Sequence, residues 1–98
     1  MTRATAKALE WRPLALRDRS SIMDHIAEDN PAAAVELDED FEAHAERARQ
    51  EPVLYRPGRV KGTREIVVRP NYVMVYKVQP SSVVILRVLH AAQKWPPR

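Results

Sequence analysis

The chain has no cysteine and only two glycines among its 98 residues. Without cysteine there is neither a disulfide framework nor a thiolate metal site. Two glycines, Gly58 and Gly62, cannot make a phosphate-cradling loop of the usual kinds. No serine stands in a nucleophile-elbow context. Three histidines, His25, His44 and His90, are too scattered for a zinc spacing. No cofactor and no metal are therefore expected. No apolar run approaches the ~20 residues that a spanning helix needs. The first residues, MTRATAKALEW, lack the apolar segment of a secretory signal. The expectation is a cytoplasmic protein with no membrane partner.

Acidic residues are also scarce, but only in one half. Residues 1–49 carry seven Lys/Arg against eleven Asp/Glu, a balance of −4. Residues 50–98 carry nine Lys/Arg against Glu51 and Glu65 alone, a balance of +7. Such a split suggests a basic face that meets an anionic partner, either nucleic acid or an acidic protein segment. A solvated basic surface with no partner is the plainer alternative.

The length suits one domain, residues 1–98, with residues 1–5 expected to be loose. Ala6 to Trp11 reads as a first strand, with Leu9 and Trp11 on one face. Pro13 ends it and opens a helix over Leu14 to Glu28. Its stripe is Ala15, Ile22 and Ile26, with Arg19 inside the stripe. Arg19 either snorkels or faces a partner. Asn30-Pro31 is a helix start, a capping side chain followed by a residue that needs no amide partner. The second helix runs to about Gln50 on a stripe of Ala34, Leu37, Phe41, Ala45 and Ala48. Pro52 stops it, and Pro57-Gly58 marks a turn. Three strands follow: Thr63–Arg69, Tyr72–Val78 and Val83–Leu89. The last is nearly all apolar and reads as central and buried on both faces. The order is β-α-α-β-β-β. The fold class is α+β, an N-terminal helical hairpin packed on a small, mainly antiparallel sheet.

The best candidates for function lie from Gly58 onward. Arg59, Lys61 and Arg64 stand at the start of the first of the three strands. Arg64 shares a face with Ile66 and Val68, so it either clamps a phosphate or pairs with an acid such as Glu65. His90 follows the last strand, as general acid or base for RNA cleavage or as a hydrogen-bonded strand end. Arg87 is the one charge in an apolar strand, and Lys94 lies in the tail. Tyr72 and Tyr76 read as core, and Trp95 as a staple for the tail or a partner contact.

A Trp after the first strand, a helix ending in IAEDNPAAA, then YRPGRVKGTREIVV, NYVMVYKV and VVILRVLHAAQKWP, resemble the RelE/ParE superfamily of bacterial type II toxins. The resemblance runs from about Leu9 to Pro96. It implies a small toxin neutralised by a cognate antitoxin in a hetero-oligomer. Two activities occur in that superfamily. ParE-like members poison DNA gyrase. RelE-like members are metal-free endonucleases that cut mRNA on the ribosome. For the second activity the resemblance implies Arg64, Lys61 and His90 as catalytic residues. For either target the candidate binding residues are Arg59, Lys61 and Arg64, which the resemblance matches, together with Arg87 and Lys94. Nucleases of this kind often carry an arginine after the histidine position and a tyrosine nearby. Here His90 is followed by Ala91, Ala92 and Gln93. The resemblance is thus closer to the ParE branch, and a gyrase-directed toxin is the expectation.

Overall fold

Asn30 and Pro31 divide the helical half of the chain. In the computed structural model, which describes residues 7–96, helix α1 spans Pro13–Ala27 and helix α2 spans Pro31–Gln50. The looseness expected of residues 1–5 lies outside the described residues. The Asn30 side-chain oxygen accepts from the Ala33 amide at 3.1 Å, satisfying one of the amides that a helix start leaves over. Asn30→Ala should lower stability by about 1 kcal/mol, whereas Asn30→Asp should be close to neutral. Urea unfolding monitored by circular dichroism measures both; equal losses would show that the side-chain acceptor contributes nothing.

The stripe expected on α2 is the one that is buried: Ala34, Leu37, Phe41, Ala45 and Ala48 are all buried. On α1, Ala15 is buried, and Ile22 and Ile26 pack against the core. The alanines let the two helices lie close against each other and against the sheet.

The sheet has five strands in the order β1-β5-β4-β3-β2. They are β1 (Ala8–Trp11), β2 (Arg56–Pro57), β3 (Arg64–Arg69), β4 (Tyr72–Val78) and β5 (Ser82–His90). Three neighbour pairs are antiparallel, while β1 runs parallel to β5, Ala8 opposite Ser82 and Trp11 opposite Ile85. One detail departs from expectation. A two-residue strand, β2, precedes the three that were read, hidden by its proline and by its dependence on β3 for pairing. Strand β5 is interior as expected, flanked by β1 and β4, and in β4 beside it Tyr72 to Tyr76 are all buried.

Alternation gives the sheet two faces. Ile66, Tyr72, Met74, Tyr76, Val83, Ile85 and Val88 join Phe41 and Leu37 in the core beneath the helices. Glu65, Val73, Val75, Val84 and Leu89 alternate to the other side, yet they too are buried. The β2–β3 loop and residues 91–96 lie over that outer face. No described helix is long and apolar enough to cross a membrane.

Candidate functional site

Strands β2 and β3 form a hairpin whose loop is held shut from inside. Arg56 lies opposite Glu65, and Pro57 opposite Arg64. The Gly58 amide donates to the Thr63 carbonyl at 2.8 Å, and the Thr63 amide donates to the Val60 carbonyl at 3.1 Å. Gly62 takes φ +86, the value that the third residue of such a turn requires and glycine supplies without strain. At Gly58 a Cβ would fall 2.3 Å from the Thr63 hydroxyl oxygen, so a larger residue there would push that hydroxyl off the Val60 carbonyl it donates to. The loop thus presents Lys61, exposed, at its tip.

Glu65 anchors this loop. Its side chain is 2 % exposed, and one oxygen accepts from the Arg59 amide at 2.8 Å and from Arg59 Nε at 3.0 Å. Arg56 Nη2 lies 3.5 Å from the other oxygen. Burial on its own pushes the Glu65 pKa up. The Arg59 amide, the Arg59 guanidinium and the Arg56 charge together outweigh burial and hold it below the usual carboxylate range. A carboxylate lowered in this way stabilises the fold above its unfolded pKa. That contribution is lost as pH falls through the folded value. Glu65→Gln should therefore cost stability near neutral pH, and the gap to wild type should narrow below about pH 4. Thermal melts across that range check the sign: a gap constant with pH would mean that the charge of Glu65 contributes nothing.

Four of the cations, Arg19, Arg64, Arg69 and Arg87, are already engaged within the molecule. Arg64 does not pair with Glu65, which alternates to the opposite face; its Nη1 donates to the Tyr55 carbonyl at 2.6 Å. Arg87 binds Asp18 of α1 through Nε at 2.8 Å and Nη2 at 3.0 Å. Arg69 pairs with Asp40 of α2. Arg19 neither snorkels to solvent nor waits for a partner. It lies 4.3 Å over the Trp11 ring and pairs with Asp38 at 2.8 Å and Glu42 at 2.9 Å. Part of the −4/+7 split is therefore resolved within the molecule, acidic helices against basic sheet. Among the described residues, Lys7, Arg12, Arg17, Lys61, Arg64, Lys77 and Lys94 form no ion pair, and Arg56 and Arg59 share one carboxylate.

His90 closes β5. It is exposed, and its Nδ1 accepts from the Ala92 amide at 3.1 Å, which leaves the proton of the neutral ring on Nε2. Its ring stands edge-on to Tyr72 at 5.6 Å, and Tyr72 in turn stands edge-on to Phe41 at 6.1 Å. The sheet register sets its distance from Arg64. Arg64 lies opposite Tyr76, whereas His90 lies opposite Tyr72. Four residues of strand separate those rows by roughly 13 Å, and two strand spacings add about 10 Å across the sheet. Arg64 and His90 thus stand at opposite ends of the sheet. Tyr72 and Tyr76 are core residues, both buried, with the Tyr76 hydroxyl donating to the Pro52 carbonyl at 2.7 Å. Among the described residues, no group of three or more His, Asp or Glu is placed to hold a metal ion.

The model of a known family, the ParE toxin of type II toxin–antitoxin systems (parDE), matches residues 9–95. The chain belongs to the ParE toxin family. Its relatives include Y4kP of Sinorhizobium fredii strain NGR234, whose name presents it as a candidate toxin. That protein is 35% identical over 91 residues, covering 92% of this chain and 94% of the relative. Among solved structures, the chromosomal ParDE toxin–antitoxin system of Pseudomonas aeruginosa superposes with a TM-score of 0.77 at 22% identity. The match covers 87% of this chain and 96% of that one. The RelBE2 complex of Mycobacterium tuberculosis superposes with a TM-score of 0.57 at 26% identity, covering 93% and 98%. The α+β fold read from the sequence is the fold of these toxins.

Two features of this ParE-family site escaped sequence reading. Arg56 was hidden beside a proline–glycine turn. Glu65 was visible as the lone acid of the sheet segment, but alternation alone does not say that a loop folds back onto it.

Proposed function

We propose that this ParE-family toxin arrests growth by poisoning DNA gyrase, trapping its cleaved-DNA state, and that a cognate antitoxin neutralises it. The observation that carries the reading is the separation of Arg64 from His90. Acid–base catalysis needs its groups within hydrogen-bond reach of one reacting phosphate, about 3 Å from each. A pair separated by most of the sheet, with the Arg64 fork bonded to a backbone carbonyl, offers no such point. Family membership and the fit to the ParDE system support the same branch. A target-binding role remains for Arg59, Lys61 and Lys94, which are exposed, and less so for Arg64 and Arg87, which are engaged. The antitoxin of this reading is an acidic, amphipathic segment that wraps the toxin and covers its basic half in a hetero-oligomer. The site of action is then the cytoplasm.

Supercoiling and cleavage assays with purified gyrase test the proposal. Loss of supercoiling and accumulation of linear DNA at micromolar toxin are the expected results, reversed by the antitoxin. The opposing reading is a ribosome-dependent mRNA endonuclease using Arg64, Lys61 and His90. Cells arrested by the toxin would then show cleaved messages without DNA-damage signalling, and Arg64→Ala or His90→Ala would abolish the arrest. That pattern would overturn the gyrase proposal.

A further inference from the structure

Two hollows adjoin on the outer face of the sheet, away from the helices. The first, about 510 Å³, is lined by Arg56, Gly58 and Arg59 on one side and by Val67, Val73 and Ala91 on the other. The second, also about 510 Å³, lies between Arg59 and the tail residues Ala91 to Pro96, with Lys94 among them. Arg59 and Ala91 line both, so the hollows form one groove between the β2–β3 loop and the tail. Lys61 stands exposed at the tip of the same β2–β3 loop.

We infer that this groove seats the phosphate backbone of duplex DNA. Charge is the first argument. Arg19, Arg64, Arg69 and Arg87 are spent on Asp18, Asp38, Asp40, Glu42 and the Tyr55 carbonyl. On the loop and tail, Lys61 and Lys94 form no ion pair, and Arg56 and Arg59, 61 % and 42 % exposed, share Glu65 between them; elsewhere Arg12 and Arg17 are also exposed and unpaired. Lys77 also alternates to the outer face, but Glu10 lies in its row across Val84. The positive end of the face is thus the loop-and-tail end. Pre-organisation is the second argument. The Glu65 carboxylate and the Gly58–Thr63 hydrogen bond fix Arg59 and the loop before any partner arrives, which lowers the ordering cost of binding. The lining is the third. Protein interfaces are anchored by large side chains in fitted pockets. Here the floor is Val67, Val73, Pro70 and Ala91. The one aromatic side chain lining the groove, Trp95, lies 5.9 Å from the Arg87 guanidinium. Cations over a floor of small side chains suit a sequence-independent phosphate contact. The choice of DNA over another polyanion rests on the gyrase reading above.

The test is anisotropy of a labelled duplex of about 20 bp titrated with the full chain over a range of salt. Three net charges predict a slope of log K on log salt of roughly −3, a loss of about 60-fold between 50 and 200 mM. Lys61→Ala and Lys94→Ala should each flatten the slope by about 0.9. Arg17→Ala, an exposed cation on α1, should leave it unchanged. A slope near zero, or one that Lys61→Ala and Lys94→Ala leave intact, overturns the inference. So does tighter binding of polyglutamate than of duplex at equal charge, which would assign the groove to an acidic protein segment. Gyrase poisoning with a flat slope would sink the groove alone. Duplex binding with the expected slope but no poisoning would sink only the gyrase reading.

Discussion

Phe41→Ala should cost this domain about 3–5 kcal/mol, the range for emptying a fully buried aromatic site. Phe41 is 0 % exposed and sits at the centre of the α2 stripe, with Tyr72 edge-on beneath it. A domain of this size is worth roughly 5–15 kcal/mol in total. At about 4–8 °C per kcal/mol, the melting temperature should fall by on the order of 15–30 °C. Phe41→Leu, which keeps most of the volume, should cost about a third as much. The measurement is urea unfolding with the m-value held as a control. A loss below about 1.5 kcal/mol for the alanine variant would mean that the core is not built around this contact. The same variant removes the support under Tyr72, and Tyr72 orients the His90 ring. Destabilisation and displacement of His90 should therefore appear together, the second as a shift of the His90 ring signals by NMR.

The parts of the molecule that were legible in the sequence are those whose causes are local or periodic. The α2 stripe obeys a 3–4 repeat from Ala34 to Ala48, so no partner was needed to see it. Asn30-Pro31 is a start signal complete in two residues. Strand β4 is bounded by Pro70-Asn71 and Gln79-Pro80, and its limits fall where those turns put them. What stayed hidden is what depends on a distant group. Strand β2 exists because Glu65 and Arg64 are there to pair with it. Arg64 looked free to clamp a phosphate or seek a carboxylate, and its partner is a main-chain oxygen that no composition argument can name. The charge split was read correctly as a count but only partly as a surface. Helices and sheet spend much of it on each other, and the remainder is smaller, with Lys61, Lys94, Arg56 and Arg59 at the loop-and-tail end of the outer face. The separation of Arg64 from His90 was implicit in the strands that were read: in three consecutive antiparallel strands the start of the first and the end of the third lie at opposite ends, and the register gives the distance.

Asp18→Ala is the second large effect, at about 2–4 kcal/mol. Asp18 ties the first helix to the last strand across the length of the chain. One oxygen accepts from Arg87 Nε at 2.8 Å and from the Val88 amide at 2.9 Å; the other accepts from Arg87 Nη2 at 3.0 Å. The side chains are 16 % and 19 % exposed, so this is not one of the surface pairs that contribute about 0–1 kcal/mol. Removing the carboxylate leaves a guanidinium and a backbone amide without partners in a half-buried place, and that loss exceeds the worth of the pair itself. The amide matters for a second reason. Strand β1 pairs with β5 only as far as Ile85, so Val88 lies on a stretch of edge with no strand beside it. The carboxylate occupies the amide that a further strand would take, and an open edge invites pairing between molecules. Asp18→Asn should recover part of the stability, since the amide oxygen still accepts but the charge is gone. Arg87→Ala should cost less than Asp18→Ala, because Asp18 then keeps the Val88 amide. A double-mutant cycle should give a coupling of about 1–3 kcal/mol. Asp18→Ala should also shift the protein toward concentration-dependent association, visible by light scattering, while Arg87→Ala should not. Equal costs for the two single variants, with both remaining monomeric, would reduce the contact to an ordinary ion pair and remove the role of Asp18 as the guard of the β5 edge.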